Sequence, residues 1–425
     1  MKKISVIIIT MFLCVFLIGC EEEKITEEMY NAYLNENVKA LNLEEVDDFS
    51  NLGFLDSDMK KSDLILIGEG HGTKANYSIK MKFLKYMSKN FDLKYLLLEG
   101  SYVNSIKINR YLDTGDEKLL DDIYFSNKED YEFYKELYKF NSSLDKKDRI
   151  ITLGIDAATT DETLNYLQEE LSKIKLDSKS KQHLKKIIEI NKISTEVANN
   201  NSVNKEDYNN VKQSILKLYE EMNGYKDYYK KNLSKENNRD LFLVLNSIYN
   251  TQNAINFDDE NKNLDEILSN ITNIRDNIMY NNFKTISKYF NEGKYFGQFG
   301  GQHCYTASGI NLSDELKENE SFSTLINEDN NVKMITIMTL YENCNHYLNG
   351  VINYTDYNNN NIIEKHINTD NSIIKLNGEK SPYSKTLDQN LLIGDEIILD
   401  NDKVTTDYFQ YIILVKNSPQ VDPLE

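Results

Sequence analysis

The stretch LILIGEGHGTKANYSIKMKFLKYM, residues 64–87, decides how the rest of the chain is read. Four apolar residues, Leu64 to Ile67, run into Gly68-Glu69-Gly70-His71-Gly72. Ile79, Phe83, Leu84, Met87 and Phe91 then recur at helical spacing. A short apolar run followed at once by glycine is the pattern of a strand buried on both faces of a parallel sheet. Tyr95-Leu96-Leu97-Leu98 repeats it and ends in Glu99, so the segment is a β-α-β unit. Residues two apart in an extended backbone face the same way, which lets Glu69 and His71 share one pocket. The glycines allow sharp turns and close approach of other groups. A carboxylate beside an imidazole favours its protonated form and fixes its tautomer.

Working outward, Ile150 to Ile155 forms a third apolar run, ending at Asp156 after a helical stretch at 130–140. From 160 to about 290 the chain is a succession of long, charged helical segments. Strands return at 295–299 and 333–340, with further strands expected at 391–399 and 408–415. The Asn-rich stretch 345–374 is expected to be an irregular excursion. The fold class is therefore α/β, a mainly parallel central sheet flanked by helices and interrupted by a long helical insertion. The expected divisions are a lipoprotein signal peptide at 1–19, a lipidated tether and lead-in helix at 20–60, and a first α/β half at 61–159. The helical insertion follows at 160–292, and a second α/β half at 293–425.

The N-terminus carries its own signal. Lys2 and Lys3 precede an apolar run that stops at Leu17-Ile18-Gly19-Cys20, the pattern of a secretory leader too short to span a membrane. The ending resembles a bacterial lipobox, which predicts lipidation (palmitate) of Cys20 and an extracytoplasmic protein anchored to the cell membrane. The formal charge of −19 argues against a nucleic-acid partner. It also leaves membrane attachment to the acyl chains rather than to anionic headgroups.

In an open α/β sheet, ligands bind beyond the carboxyl ends of the strands. The predicted strands deliver Glu69 and His71, Glu99, Asp156 and, after Gly300-Gly301-Gln302, His303 to that edge. The chain has five histidines, and two of them follow a glycine by three residues at a strand end. A dinucleotide fingerprint competes for the first motif, but Thr73 stands where G-x-G-x-x-G needs its third glycine. Glu99 and Asp156 could alternatively cap the helices that follow them. Arg275, one of four arginines, could be a solvated ion pair or a bidentate ligand. His183, in a Lys-rich helix, is expected at the surface, and His346 and His366 flank the Asn-rich excursion. Cys304 and Cys344 follow their strands by similar offsets. If those strands are parallel neighbours, the two cysteines meet in a disulfide worth about 3–4 kcal/mol by chain entropy.

LIGEGHGT, YLLLEG, Gly154-Ile155-Asp156, Arg275-Asp276-x-x-Met279-x-x-Asn282-Phe283 and FGQFGGQH together resemble the erythromycin-esterase-like superfamily. That group includes ChaN-type haem-binding lipoproteins and, distantly, Tiki/TraB-type proteins. The resemblance runs in order over residues 60 to 415. It implies a hydrolase pocket with His71 as general base, Glu69 and Glu99 orienting it, and His303 as electrophilic or acid partner. Asp156 and Arg275 become substrate-binding residues. The macrolide esterases read G-E-x-x-H-G, and here the spacing is one residue shorter. The expected activity is hydrolysis of an ester or lactone of a small-molecule substrate without a cofactor. Two alternatives stay open: a divalent-metal hydrolase or peptidase on His71, His303, Glu69 and Glu99, and a lipoprotein that binds haem or another small ligand.

Overall fold

Ten strands occur in the described chain: β1 Val38–Ala40, β2 Leu64–Glu69, β3 Leu93–Leu98, β4 Ile151–Gly154, β5 Lys294–Gly300, β6 Met334–Glu342, β7 Cys344–Tyr347, β8 Val351–Tyr354, β9 Asn371–Lys375 and β10 Tyr411–Lys416. The computed structural model describes residues 25–121, 123, 125–199, 204–257, 259, 262–307, 320–347, 351–354, 362–392 and 402–424. Eight strands form one sheet in the order β1-β9-β10-β6-β2-β5-β3-β4. The six strands from β10 to β4 are mutually parallel, and β9 and β1 continue the sheet antiparallel. The fold is thus α/β, with a mostly parallel sheet between helices.

Alternation along each strand splits the core in two. Leu64 and Leu66 of β2 face one hydrophobic cluster, and Ile65 and Ile67 face the other. Each such fully buried side chain contributes about 1.5–3 kcal/mol relative to exposure. The first face is covered by the helical run, including Leu164, Leu245, Met279 and Phe283. The second lies under the helices Ala75–Asn90 and Lys128–Ser143. The helical region is therefore one layer of the sandwich, and its last long helix, Ile271–Ile286, reaches the carboxyl edge of the sheet.

Several expectations need correction. The lead-in at 20–60 is no tether where it is described: β1 pairs with β9, and Leu34, Leu41, Leu52, Leu55 and Met59 are buried. The buried Lys82 ammonium donates to the Glu45 carbonyl at 2.8 Å and also to that of Asp48, clamping this segment down. The Asn-rich excursion contains the hairpin β7–β8 and the sheet strand β9, where Ile373 and Ile374 alternate between the two cores. His183 is 2% exposed, its Nδ1 2.7 Å from the Tyr229 hydroxyl, because aromatic residues of the helical layer close over it.

The predicted disulfide is absent: Cys304 and Cys344 are not bonded to each other, and both are buried. The premise failed because β2 lies between β5 and β6. The two cysteines also belong to cores on opposite faces of the sheet. Cys20 and the apolar leader lie outside the described residues, as does most of the strand expected at 391–399. Among the described residues, no helix is long and apolar enough to cross a membrane.

Candidate active site

The site is assembled at the carboxyl edge, where β2, β5, β3 and β4 lie side by side. β2 ends in Glu69, and the turn after it carries His71. Gly72 holds φ at +91°, a conformation that favours glycine. β3 ends one residue before Glu99, and β4 two residues before Asp156. After β5 the chain enters a 3-10 turn, Gly301–Cys304, that presents His303. A Cβ on Gly300 would lie 3.1 Å from His71 Nε2, so glycine there lets the imidazole rest against the end of β5.

Each functional group is held by a partner. Glu69 Oε1 lies 2.9 Å from His71 Nδ1. The other Glu69 oxygen accepts from the Gln298 amide, which also donates to the Asn76 carbonyl at 2.9 Å. Asn76 in turn donates to the Gly70 carbonyl at 2.7 Å, and Tyr341 accepts from the Gly70 amide at 3.0 Å. The turn bearing His71 is thereby fixed at both of its peptide groups. His71 stays 51% exposed, with Nε2 4.0 Å from Glu99 Oε2.

Glu99 accepts from Arg275 Nη2 at 2.8 Å and from the Gly300 amide at 2.8 Å. Arg275 also donates Nε to Asp156 Oδ1 at 2.7 Å, and Nη2 to the second oxygen of the same carboxylate. This bidentate geometry suits a guanidinium and not an ammonium. His303 Nδ1 lies 2.7 Å from Asp276 Oδ1, and its Nε2 lies 3.5 Å from both Glu99 Oε1 and Arg275 Nη1. Asn282, 2% exposed, donates to the carbonyls of Ile155 at 3.0 Å and Asp156 at 3.1 Å, setting the turn after β4.

The two histidines differ in electrostatics. Burial works against charging His303, but Asp276 and Glu99 outweigh it and raise its pKa to about 10. His71 is raised above the ordinary imidazole value, chiefly by its hydrogen bond to Glu69, with burial opposing. Burial would raise the Glu99 carboxyl, yet His303, His71 and Arg275 hold it well below the usual carboxylate range. At neutral pH His303 is a cation. The proton of His71 lies on Nδ1, toward Glu69, whenever that ring is neutral, leaving the Nε2 lone pair for chemistry. Among the described residues no three His, Cys, Asp or Glu side chains converge as ligands for a metal ion. Arg275 fills the space between Glu99 and Asp156, where its charge repels a cation.

The structure brings Glu69, His71, Glu99, Asp156, Arg275 and His303 into one network. Neither Glu99 nor Asp156 caps a following helix: Ser101 and Thr159 hold those positions. His346 is buried and His366 hydrogen-bonds Asn31 and Asn35, both apart from the network. Sequence reasoning gave no role to Asp276, although its place beside Arg275 was a usable signal. Gln298 stands two residues before Gly300 on β5, which was another. Asn76, Tyr341 and the carbonyl bonds of Asn282 carried no local signal.

A parallel α/β sheet whose carboxyl edge gathers two histidines, four carboxylates and an arginine defines a class of protein with an acid–base site at the strand ends. No family model matches the chain, and no curated protein does. Solved structures do. A Bacillus cereus protein aligns with a TM-score of 0.74 and 15% identity over 94% of this chain and 100% of its own. A histidine-to-asparagine mutant of the erythromycin esterase EreC, in its open conformation, aligns with a TM-score of 0.67 and 14% identity over 91% and 99%. A succinoglycan biosynthesis protein gives 0.65 and 15% over 95% and 100%. At these identities the likeness is one of fold.

Proposed function

We propose that the protein is a hydrolase, distantly related to the erythromycin esterases, that cleaves an ester or lactone with water activated by His71. The observation that carries the reading is the opposed pair of histidines. His71 is backed by Glu69 with Nε2 open. Across Glu99 stands His303, cationic and held from behind by Asp276. The fold shared with an erythromycin esterase supports it.

In the proposed reaction, His71 Nε2 takes a proton from water as the oxygen attacks the carbonyl. The imidazolium that forms is stabilised by Glu69. The charge developing on the carbonyl oxygen is met by the His303 Nε2–H, only loosely engaged at 3.5 Å, and by the Nη1 edge of Arg275. Collapse of the tetrahedral intermediate expels the alkoxide, which His71 reprotonates. Glu99 and Asp156 hold Arg275 in register and do not react. Cys20 would carry the lipid that anchors the enzyme outside the cytoplasm.

The test is a panel of aryl esters and lactones, assayed with and without chelator beside His71→Ala. Chelator-resistant turnover that falls by about 10²–10⁴ in His71→Ala supports the reading. Wild-type turnover abolished by chelator, or an undiminished variant, contradicts it. A Soret band on haem titration with no turnover would replace it with ligand binding.

A further inference from the structure

Past β10 the chain turns back and crosses to the site. Asn417 ends the strand with a left-handed backbone, φ +57°. The next residues pass the end of β6, where the Ser418 carbonyl accepts from the Asn345 amide at 3.0 Å, and reach the turn after β2. There the Ser418 hydroxyl accepts from the Ala75 amide at 3.1 Å, and the Pro419 carbonyl from the Lys74 amide at 3.0 Å. Gln420 forms an antiparallel bridge with Thr73, and the Val421 amide donates to the Gly72 carbonyl at 2.9 Å. Asp422 then joins the turn to the helix Lys128–Ser143: its carbonyl accepts from the Lys128 amide at 2.9 Å, and its amide donates to Glu129 at 2.8 Å.

His71 needs such support. It stands between Gly70 and Gly72, the residue type with the widest backbone freedom, and its side chain is 51% exposed. Packing therefore does little to hold the imidazole, and the pose of the turn decides where it lies. Asn76 and Tyr341 fix the turn on the Gly70 side. On the other side Gly72 holds φ at +91°, and among the described residues Val421 is the donor to its carbonyl. Val421 is 3% exposed and lines the cavity beside His71 together with Gly72. Lys74 Nζ also lies 2.7 Å from Asp422 and 2.9 Å from Glu129, but Lys74 and Asp422 are 33% and 52% exposed. Solvent screens such a pair, so the backbone bonds carry the hold.

We propose that residues 418–422 are a strap that positions the catalytic histidine, the Val421 amide holding the Gly72 carbonyl so that His71 stays on Glu69. Val421 is thus a positioning residue that touches no reacting atom. The inference rests on the hydrolase reading for its catalytic meaning. A shift of about 1 Å in a reacting group can cost about 10²-fold in rate, which sets the scale of the effect.

The test is Val421→Pro, which removes the amide. Gln420 already sits in an extended bridge, the conformation that proline asks of the residue before it. The kcat for an aryl ester is expected to fall about 10–100-fold, with the melting temperature within about 4 °C of wild type. Val421→Ala keeps the amide and should restore most of the rate, while Asp422→Asn should leave it within about twofold of wild type. A second readout needs no turnover. Glu69, Glu99 and His303 are the charged groups that act on His71. In an NMR titration of Val421→Pro, a loosened Glu69 contact should bring the His71 midpoint down toward the ordinary imidazole value, with His303 unmoved. In the wild type, hydrogen exchange should show the Val421 amide exchanging at least about 100-fold more slowly than in an unfolded chain. A Val421→Pro protein with wild-type kcat and an unmoved His71 midpoint would overturn the proposal. So would an equal loss in Val421→Ala, or a Val421 amide that exchanges freely. If the wild type turns over no ester, the hydrolase reading falls, and the midpoint and the exchange still decide the strap.

Discussion

His71 and His303 are the same residue type a few ångströms from the same glutamate, and their surroundings give them different tasks. Asp276 and Glu99 hold His303 cationic, up to about 10. His71 must lose its proton to act, and Glu69 holds that proton back. The rate, as kcat/KM, should rise with pH as His71 deprotonates, above the ordinary imidazole range, and fall as His303 loses its charge near pH 10. Glu69→Gln removes the carboxylate that favours the imidazolium, so the acidic limb should move to lower pH while the plateau falls. A pH–rate profile with the limb unmoved, or moved upward, would contradict the assignment. The residues at strand ends were legible because a buried parallel strand followed by glycine and a polar residue is a local pattern. Asp276 was not assigned, because its importance comes from a helix brought to the edge by packing more than a hundred residues downstream of Asp156.

At the scale of elements, the helix Ile271–Ile286 does two jobs. Met279 and Phe283 anchor it in the core on one face of the sheet, while Arg275 and Asp276 reach the site and Asn282 ties it to the end of β4. Asn282→Ala would leave two buried carbonyls and the Asn250 amide without their partner and open a small cavity. A loss of about 2–4 kcal/mol in urea unfolding is expected, with the turnover of the folded enzyme reduced as Asp156 shifts. A change within about 0.5 kcal/mol would mean the tie is dispensable. β5 shows where element-level reading stopped. Its own pattern announced a strand, but its insertion between β2 and β3 is a matter of topology. That insertion brings His303 opposite His71 and also keeps Cys304 away from Cys344.

At the scale of the molecule, the sheet is closed at one edge by residues that looked like a tether. β1 is only three residues long and carries one lysine, too little for a hydrophobic pattern, and it is specified by pairing with β9 rather than by its own sequence. Removal of residues 25–61 would bare the edge of β9 and uncover Ile373, Ile413 and their neighbours in the second core. Such a shortened chain is expected to aggregate on expression. A soluble product with a native-like circular dichroism spectrum and cooperative melt would refute that role. The fold class was legible from periodicity because parallel strands bury both faces. β9 escaped because its two isoleucines sit inside an Asn-rich stretch whose composition suggests a loop.

The most direct test of the central claim, that one histidine is held as a base and the other as a cation, is a nitrogen-detected NMR titration of the protein labelled at its histidines. With five histidines in the chain, His71→Ala and His303→Ala identify the two signals. The prediction is that His303 keeps both ring nitrogens protonated until about pH 10, while His71 titrates at lower pH, above the ordinary imidazole value, into the Nδ1–H form. A neutral His303 at pH 7, or a His71 that titrates after it, would contradict the account.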